Sequence, residues 1–181
     1  MKKAMIYGAG VSGLAASELL KKNGYEVILV DDKKAMSSKE ALENLDGLEL
    51  FIKSPGIAYN ELVREVQSRK IELIDEIELA YRYSKGKFRI IAVTGTNGKT
   101  TTTSKIAGLL EEAGFRVEAG GNIGKAFAQI VLEEKTLDFV VLELSSYQLE
   151  NLKEFKVDLS LLINLSPDHM DRYEKEEDYY L

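Results

Sequence analysis

Thr94-Gly-Thr-Asn-Gly-Lys-Thr-Thr-Thr-Thr103 follows directly on the apolar run Arg89-Ile-Ile-Ala-Val93. A strand that runs into a glycine turn and then a helix lets backbone N–H groups converge on an anion, and the helix start adds the positive end of a dipole. Lys99 can reach the outer phosphates of a triphosphate, and Thr100 can offer its hydroxyl to Mg²⁺. The common phosphate loop has another glycine where this chain has Val93, so the pattern is the shorter Gly95-x-x-Gly98-Lys99-Thr100. Gly95, Thr96, Asn97, Gly98, Lys99, Thr100 and Thr101 are the expected residues of a nucleoside-triphosphate site.

Glu143 closes a second apolar run, Phe139-Val-Val-Leu-Glu143. An acid is out of place in a buried strand unless the strand end faces a site or a cation. His169, the single histidine, lies in Asn164-Leu-Ser-Pro-Asp-His-Met-Asp171, just after the run Leu159–Ile163. Glu143 and His169 are expected at the edge that carries the phosphate loop. There they could hold one Mg²⁺ or Mn²⁺, with Thr100 and Glu143 holding another. Lys99, Glu143 and His169 are the candidate catalytic residues. His169 also reads as a capping or packing residue, and Asp168 and Asp171 as helix caps. In Gly120-Gly-Asn-Ile-Gly124, Asn122 can orient a substrate amide or phosphate, or serve as a turn residue at positive φ. Ser145, two residues past Glu143, reads either as a hydroxyl beside the metal or as an N-cap.

A second glycine loop, Gly8-Ala-Gly10-Val-Ser-Gly13, stands between the strand-like Ala4–Tyr7 and a helix. Asp31 and Asp32 end the next strand, where a ribose-binding acid belongs. By itself this pattern suggests NAD, although about 85 residues leave little room for the two halves of a full dinucleotide fold. Physically, any nucleotide diphosphate could approach the backbone at Gly10 and rest on the helix start. Ser54-Pro-Gly-Ile57 forms a rigid loop after the third strand, at the edge where ligands of open α/β sheets bind.

Short apolar runs alternate with amphipathic stretches throughout, the pattern of an α/β fold with a mainly parallel sheet. Strands are expected at Ala4–Tyr7, Glu26–Val30, Leu48–Ile52, Ile71–Ile74, Phe88–Val93, Phe115–Ala119, Phe139–Leu144 and Leu159–Ile163. Helices are expected near residues 12–23, 37–45, 60–69, 75–83, 100–113, 125–134 and 145–152. Ser37 with Glu40 forms a capping box, and Gly24 fits a helix C-terminus. The polar Ser84-Lys-Gly-Lys87 divides a Rossmann-like domain, residues 1–86, from a P-loop α/β domain, residues 87–181. The acid-led Tyr173–Leu181 opens a helix within which the chain stops. The sequence is therefore expected to be part of a longer protein, and unable to turn over by itself.

The chain has 181 residues, 45% of them hydrophobic and 30% charged, the profile of a globular protein. Its net charge of −6 and lack of a basic stripe argue against a nucleic-acid binder. No apolar stretch is long enough to span a membrane. It has no cysteine, hence neither a disulfide framework nor a thiolate metal site. Met1-Lys-Lys leads straight into a strand, unlike an export signal, so a cytoplasmic location is expected.

Taken together, the Thr94–Thr100, Glu143–Leu149 and Asn164–Asp171 segments resemble the Mur ligases of bacterial peptidoglycan synthesis. The Gly8–Gly13, Ser54–Ile57, Gly120–Gly124 and Asp168–Tyr173 segments are most similar to the branch of that family that adds D-glutamate. Both prolines and the single histidine fall within these segments. The resemblance implies ATP-driven ligation of D-glutamate to UDP-N-acetylmuramoyl-L-alanine through an acyl phosphate, by an enzyme expected to be a monomer. It implies that Gly10, Val11, Ser12 and Asp31, with Ser54, Pro55 and Gly56, hold the UDP end. Asn122 and Ser145 would touch the muramoyl-alanine end, Gly98, Lys99 and Thr100 the ATP phosphates, and Glu143 and His169 the metal. The family's carbamylated lysine and third domain have no counterpart in the sequence. Another Mur-type amino-acid ligase, an NAD(P)-binding oxidoreductase domain and a non-catalytic nucleotide switch are the alternative readings.

Overall fold

A computed structural model of the protein describes residues 2–166. The first half of the chain runs β1 (Lys2–Tyr7), α1 (Val11–Lys22), β2 (Tyr25–Val30), α2 (Ser38–Ala41), β3 (Leu48–Lys53), α3 (Glu61–Ser68), β4 (Glu72–Ile74) and α4 (Glu76–Ser84). The second continues with β5 (Arg89–Thr94), α5 (Lys99–Glu112), β6 (Val117–Gly121), α6 (Phe127–Leu132), β7 (Phe139–Glu143), α7 (Ser146–Leu149) and β8 (Leu159–Leu162). Among the described residues no helix is long and apolar enough to cross a membrane.

The chain forms two compact units. The first takes the described residues up to Lys85, Lys125–Lys135 and Asn151–Phe155; the second takes Gly86–Gly124, Thr136–Glu150 and the described residues from Lys156 onward. Two stretches that the sequence division puts after residue 87 thus group with the first unit.

In the first unit four parallel strands lie in the order β2-β1-β3-β4. Strand residues alternate between faces. Met5, Tyr7 and Phe51 accordingly pack against Leu62, Val63 and Val66 of α3. On α4, Glu78 is buried, a position that requires partners. It accepts N–H groups from Lys153 (3.0 Å), Glu154 (3.1 Å) and Phe155 (3.0 Å), and the Arg82 guanidinium at 2.9 Å. Burial works to raise its pKa, but the Lys153 N–H and Arg82 outweigh it and leave the carboxyl below its ordinary value. Glu76 accepts the Ala128 N–H of α6. Burial pushes the Glu76 carboxyl up to about 8 and Asp75 beside it up to about 7. One oxygen of each is buried without a hydrogen-bond partner among the described residues.

In the second unit the order is β6-β7-β5-β8, again all parallel. Ile91, Val93 and Val141 form a core with Ala107 of α5, and Ile106 and Leu110 pack against it.

Several elements differ from the sequence expectation: the helices expected near 125–134 and 145–152 shorten to Phe127–Leu132 and Ser146–Leu149. The stretch expected as one helix over residues 37–45 keeps the Ser37–Glu40 capping box but tightens to a 3₁₀ turn at Leu42–Asn44. The strand expected at Phe115–Ala119 begins two residues later, at Val117, and ends at Gly121. The reason is the end of α5: Gly114 turns left-handed at φ +88 and the Phe115 N–H bonds back to Leu110 O at 3.0 Å. Gly120 and Gly121 therefore belong to the strand, paired with Leu142 and Glu143, and not to a loop after it.

Candidate functional site

The phosphate loop leaves β5 between two neighbours, since β7 pairs with β5 on one side and β8 on the other. A parallel sheet puts the carboxyl ends of all three strands at one edge, where the strand order reverses and ligands bind. Gly95 at φ +140 and Gly98 at φ +84 make the turn that L side chains resist. Gly98 is the N-cap of α5, so Lys99 and Thr100 open the helix.

Three side chains converge at the β7 side of this loop. Thr100 donates its hydroxyl to Glu143 Oε2 at 2.8 Å. Asn122 donates from Nδ2 to Glu143 Oε1 at 2.9 Å, and its backbone N–H bonds to Glu143 O at 2.8 Å. Only glycine fits beside them: Gly121 has φ +95, and an added Cβ would run into the Glu143 carbonyl oxygen. Glu143 is 2% exposed, yet both carboxylate oxygens are hydrogen-bonded. Lys99 Nζ donates to Gly95 O at 2.7 Å and Thr96 O at 2.9 Å, which holds the ammonium over the loop's own backbone. Ser145 takes neither partner; its N–H and hydroxyl donate to Gln148 Oε1 at 3.0 and 3.2 Å at the start of α7. Its cap reading describes these contacts.

On the β8 side, Asn164 grips the loop. The Asn97 N–H donates to Asn164 Oδ1 at 2.9 Å, Asn164 Nδ2 donates to Asn97 O at 3.0 Å, and the Thr96 N–H donates to Asn164 O at 3.2 Å. Sequence reasoning took Asn164 only as the first letter of the histidine segment. No local signal marks its task, because its partner lies 67 residues away. Asp168 and His169 lie outside the described residues. Among the described residues no three His, Cys, Asp or Glu side chains gather into a metal cluster. Thr100 and Glu143 nevertheless offer a hydroxyl and a carboxylate, the hard oxygen donors that Mg²⁺ takes.

The first unit builds its own loop on the same plan. Gly8 has φ +112, and an added Cβ would lie 2.6 Å from Ser54 Oγ. A Cβ on Gly13 would collide with the Gly8 carbonyl, so α1 sits hard against the end of β1. Asp31 accepts the Ala9 N–H at 2.9 Å and those of Lys33 and Lys34 at 3.0 and 3.1 Å. The Ala9 bond, followed by that of Lys33, holds its carboxyl below the ordinary value. The Ser54 hydroxyl faces Gly8 O at 3.4 Å. Around this brace the surface is open: Gly10 has nothing within 4 Å of an added Cβ, and Val11 is 69% exposed. Ser12 and Pro55 are half-buried and Gly56 is exposed. Asp32, which sequence reasoning paired with Asp31, instead accepts the Tyr7 hydroxyl at 3.0 Å and the Ser38 N–H at 2.7 Å.

Residues 93–181 match the family model of the Mur ligase middle domain. The chain is 58% identical over 183 residues to a UDP-N-acetylmuramoylalanine–D-glutamate ligase of Fusobacterium nucleatum, covering 99% of this chain and 42% of that protein. The chain belongs to the Mur ligase family. A second relative in the family, of the same name and from Thermoanaerobacter sp., is 41% identical over 98% of this chain and 43% of its own length. The chain thus spans about two-fifths, 42–43%, of these Mur ligases. Solved structures in the family share the fold. The UDP-N-acetylmuramate:L-alanyl-gamma-D-glutamyl-meso-diaminopimelate ligase of Neisseria meningitides aligns with a TM-score of 0.58 at 21% identity, over 99% of this chain and 65% of that one. UDP-N-acetylmuramate-alanine ligase from Thermotoga maritima aligns with a TM-score of 0.53 at 21% identity, over 99% and 45%.

Proposed function

We propose that the chain is the part of a D-glutamate-adding Mur ligase that holds UDP-N-acetylmuramoyl-L-alanine and the phosphates of ATP. The observation that carries this reading is the Thr100–Glu143 contact of 2.8 Å at the mouth of the phosphate loop. It sets a helix-start hydroxyl and a buried carboxylate beside a phosphate cradle. The names of the relatives support D-glutamate as the amino acid added and UDP-N-acetylmuramoylalanine as its acceptor. Residues 1–86 would hold the UDP end through Gly10, Val11, Ser12, Asp31, Ser54, Pro55 and Gly56, and residues 87–181 the ATP.

In the ligation, the γ-phosphorus leaves the ADP oxygen and bonds to a carboxylate oxygen of the alanine. The D-glutamate amine then attacks the carbonyl carbon, phosphate departs, and the amine proton is lost. The chain's own residues bind and orient. The α5 N-terminus directs N–H groups at phosphate, while Lys99 exchanges the Gly95 and Thr96 carbonyls for phosphate oxygens and stabilises charge as it moves. Thr100 and Glu143, with His169, would hold Mg²⁺, which supplies neutralisation of phosphate charge. Asn122 keeps the Glu143 carboxylate turned toward Thr100, and with Ser145 it would meet the muramoyl-alanine end.

Titrating this chain with a fluorescent ATP analogue and, separately, with UDP-N-acetylmuramoyl-L-alanine tests the reading. Lys99→Ala should weaken ATP-analogue binding by about tenfold or more, the worth of a charge-assisted contact. UDP-compound binding should stay intact. Equal loss of both ligands would contradict two separate cradles, and failure of the unaltered chain to bind either would remove the proposal. NAD(P) binding in place of the UDP compound would favour the oxidoreductase alternative.

A further inference from the structure

The geometry points to Asn164 as a positioning residue that holds Gly95–Gly98 in the shape that accepts phosphate. This inference rests on the reading of that loop as a nucleotide cradle.

The loop is poorly held by packing. Asn97 and Gly98 are exposed, Thr96 is polar, and Lys99 turns its ammonium back on the loop carbonyls. What fixes it is a fork. The Asn164 carboxamide accepts the Asn97 N–H at 2.9 Å and donates to the Asn97 carbonyl at 3.0 Å, engaging both backbone polar groups of one residue. The same residue's main chain takes the Thr96 N–H at 3.2 Å. Ser166 adds a second reciprocal pair: its N–H donates to Thr96 Oγ1 at 2.9 Å, and that hydroxyl donates to Ser166 O at 3.0 Å. The approach is close enough that a Cβ on Gly95 would lie 3.0 Å from Asn164 O.

Three features make this a positioning device. A carboxamide is the one small side chain that donates and accepts in a single plane, so it sets the orientation of Asn97 as well as its place. That residue sits immediately before Gly98 and α5, so its tilt decides where the next N–H groups aim. A loop already in its bound shape does not lose ordering entropy when ligand arrives. An unclamped loop is competent for only part of the time, and its apparent affinity falls by that fraction.

The test uses this chain, a fluorescent ATP analogue with Mg²⁺, and amide hydrogen exchange. Asn164→Ala should raise the dissociation constant about tenfold, as expected for losing a pair of hydrogen bonds. The Asn97 amide should exchange about tenfold faster, while Val93 and Glu143 amides in the sheet keep their protection. A merely structural loss would instead speed exchange across β5 and β7 together, and would overturn the inference. So would unchanged affinity with the Asn97 amide released. Should Asn164→Ala fail to fold, Asn164→Asp keeps the acceptor and removes the donor. Affinity equal to that of the unaltered chain would then overturn the role. If the unaltered chain binds no ATP analogue, the nucleotide reading itself fails and this inference falls with it; equal binding by parent and variant removes the positioning role alone.

Discussion

The two glycine loops share one plan and differ in what flanks them. Each leaves a central parallel strand, β1 or β5, and enters a helix, and each is flanked by the ends of the two neighbouring strands. Around Gly8–Gly13 both flanks turn inward: Asp31 accepts the Ala9 N–H and Ser54 faces the Gly8 carbonyl. Around Gly95–Gly98 only one flank does so, through Asn164. The other, Glu143, meets the Thr100 hydroxyl and the Asn122 amide and leaves the loop backbone alone. The first loop has its acid consumed by backbone N–H groups and is suited to passive holding of a diphosphate. The second keeps a carboxylate and a hydroxyl together, as a cation-assisted triphosphate requires. The strand plan is common to both; the side chains at the flanking strand ends decide the chemistry.

The sharpest way to break this contrast is Gly13→Ala. The new methyl would meet a backbone carbonyl, which cannot rotate away, so α1 must shift. A loss of about 3 kcal/mol or more is expected in denaturant unfolding of the first unit, with ATP-analogue binding at the second loop retained in the folded fraction. Parent-like stability would mean the first loop is not close-packed. Next comes Gly121→Ala, strained by φ +95 and by the Glu143 carbonyl. We expect a cost of about 2 kcal/mol and a visible loss of Mg²⁺-dependent ATP-analogue binding in calorimetry; unaltered Mg²⁺ dependence would separate Glu143 from the site.

A pH series sharpens the comparison of the units themselves. Glu76 and Asp75 in the first unit have folded pKa values raised by burial, to about 8 and about 7. Raised acids are protonated more readily in the folded state, so their stabilisation is full below the unfolded value near 4 and fades as pH climbs through 7 to 8. Stability of the first unit should fall as pH rises from about 4 toward these folded values, by on the order of 1 kcal/mol per pH unit for each group protonated in the folded but ionised in the unfolded state, and level off above them. Glu76→Gln should flatten the slope of melting temperature against pH; an unchanged slope would show that Glu76 is not its source. The smallest effect is expected from Asp31→Ala, which loosens the first loop at an accessible site. Affinity for the UDP compound should drop and ATP-analogue affinity should hold, as read by paired titrations.

Much of this arrangement was legible along the chain because it is written in local spacing. Gly95-x-x-Gly98-Lys99-Thr100 after an apolar run could only be a turn that feeds a helix, and so it is. The Ser37–Glu40 box and the Gly24 turn follow from short-range hydrogen-bonding chemistry. The glycine pair at 120–121 lies beyond the expected strand Phe115–Ala119 because glycine disfavours strands in general. Its place in β6 is dictated by room beside Glu143, which only the neighbouring strand reveals. Likewise nothing near Glu76 or Glu78 in sequence announces that α6 and the Asn151–Phe155 stretch will supply their N–H partners.

By itself the sequence determined the identity of most elements, the two glycine turns between strand and helix and the kinds of donor available, since these depend on neighbours a few residues apart. Only the tertiary structure decided that β7 and β8 flank β5, and so that Glu143 and Asn164 stand on opposite sides of one loop. Strand order is a matter of long-range pairing, and hydrogen bonds spanning 43 and 67 residues leave no periodic trace in the chain that makes them.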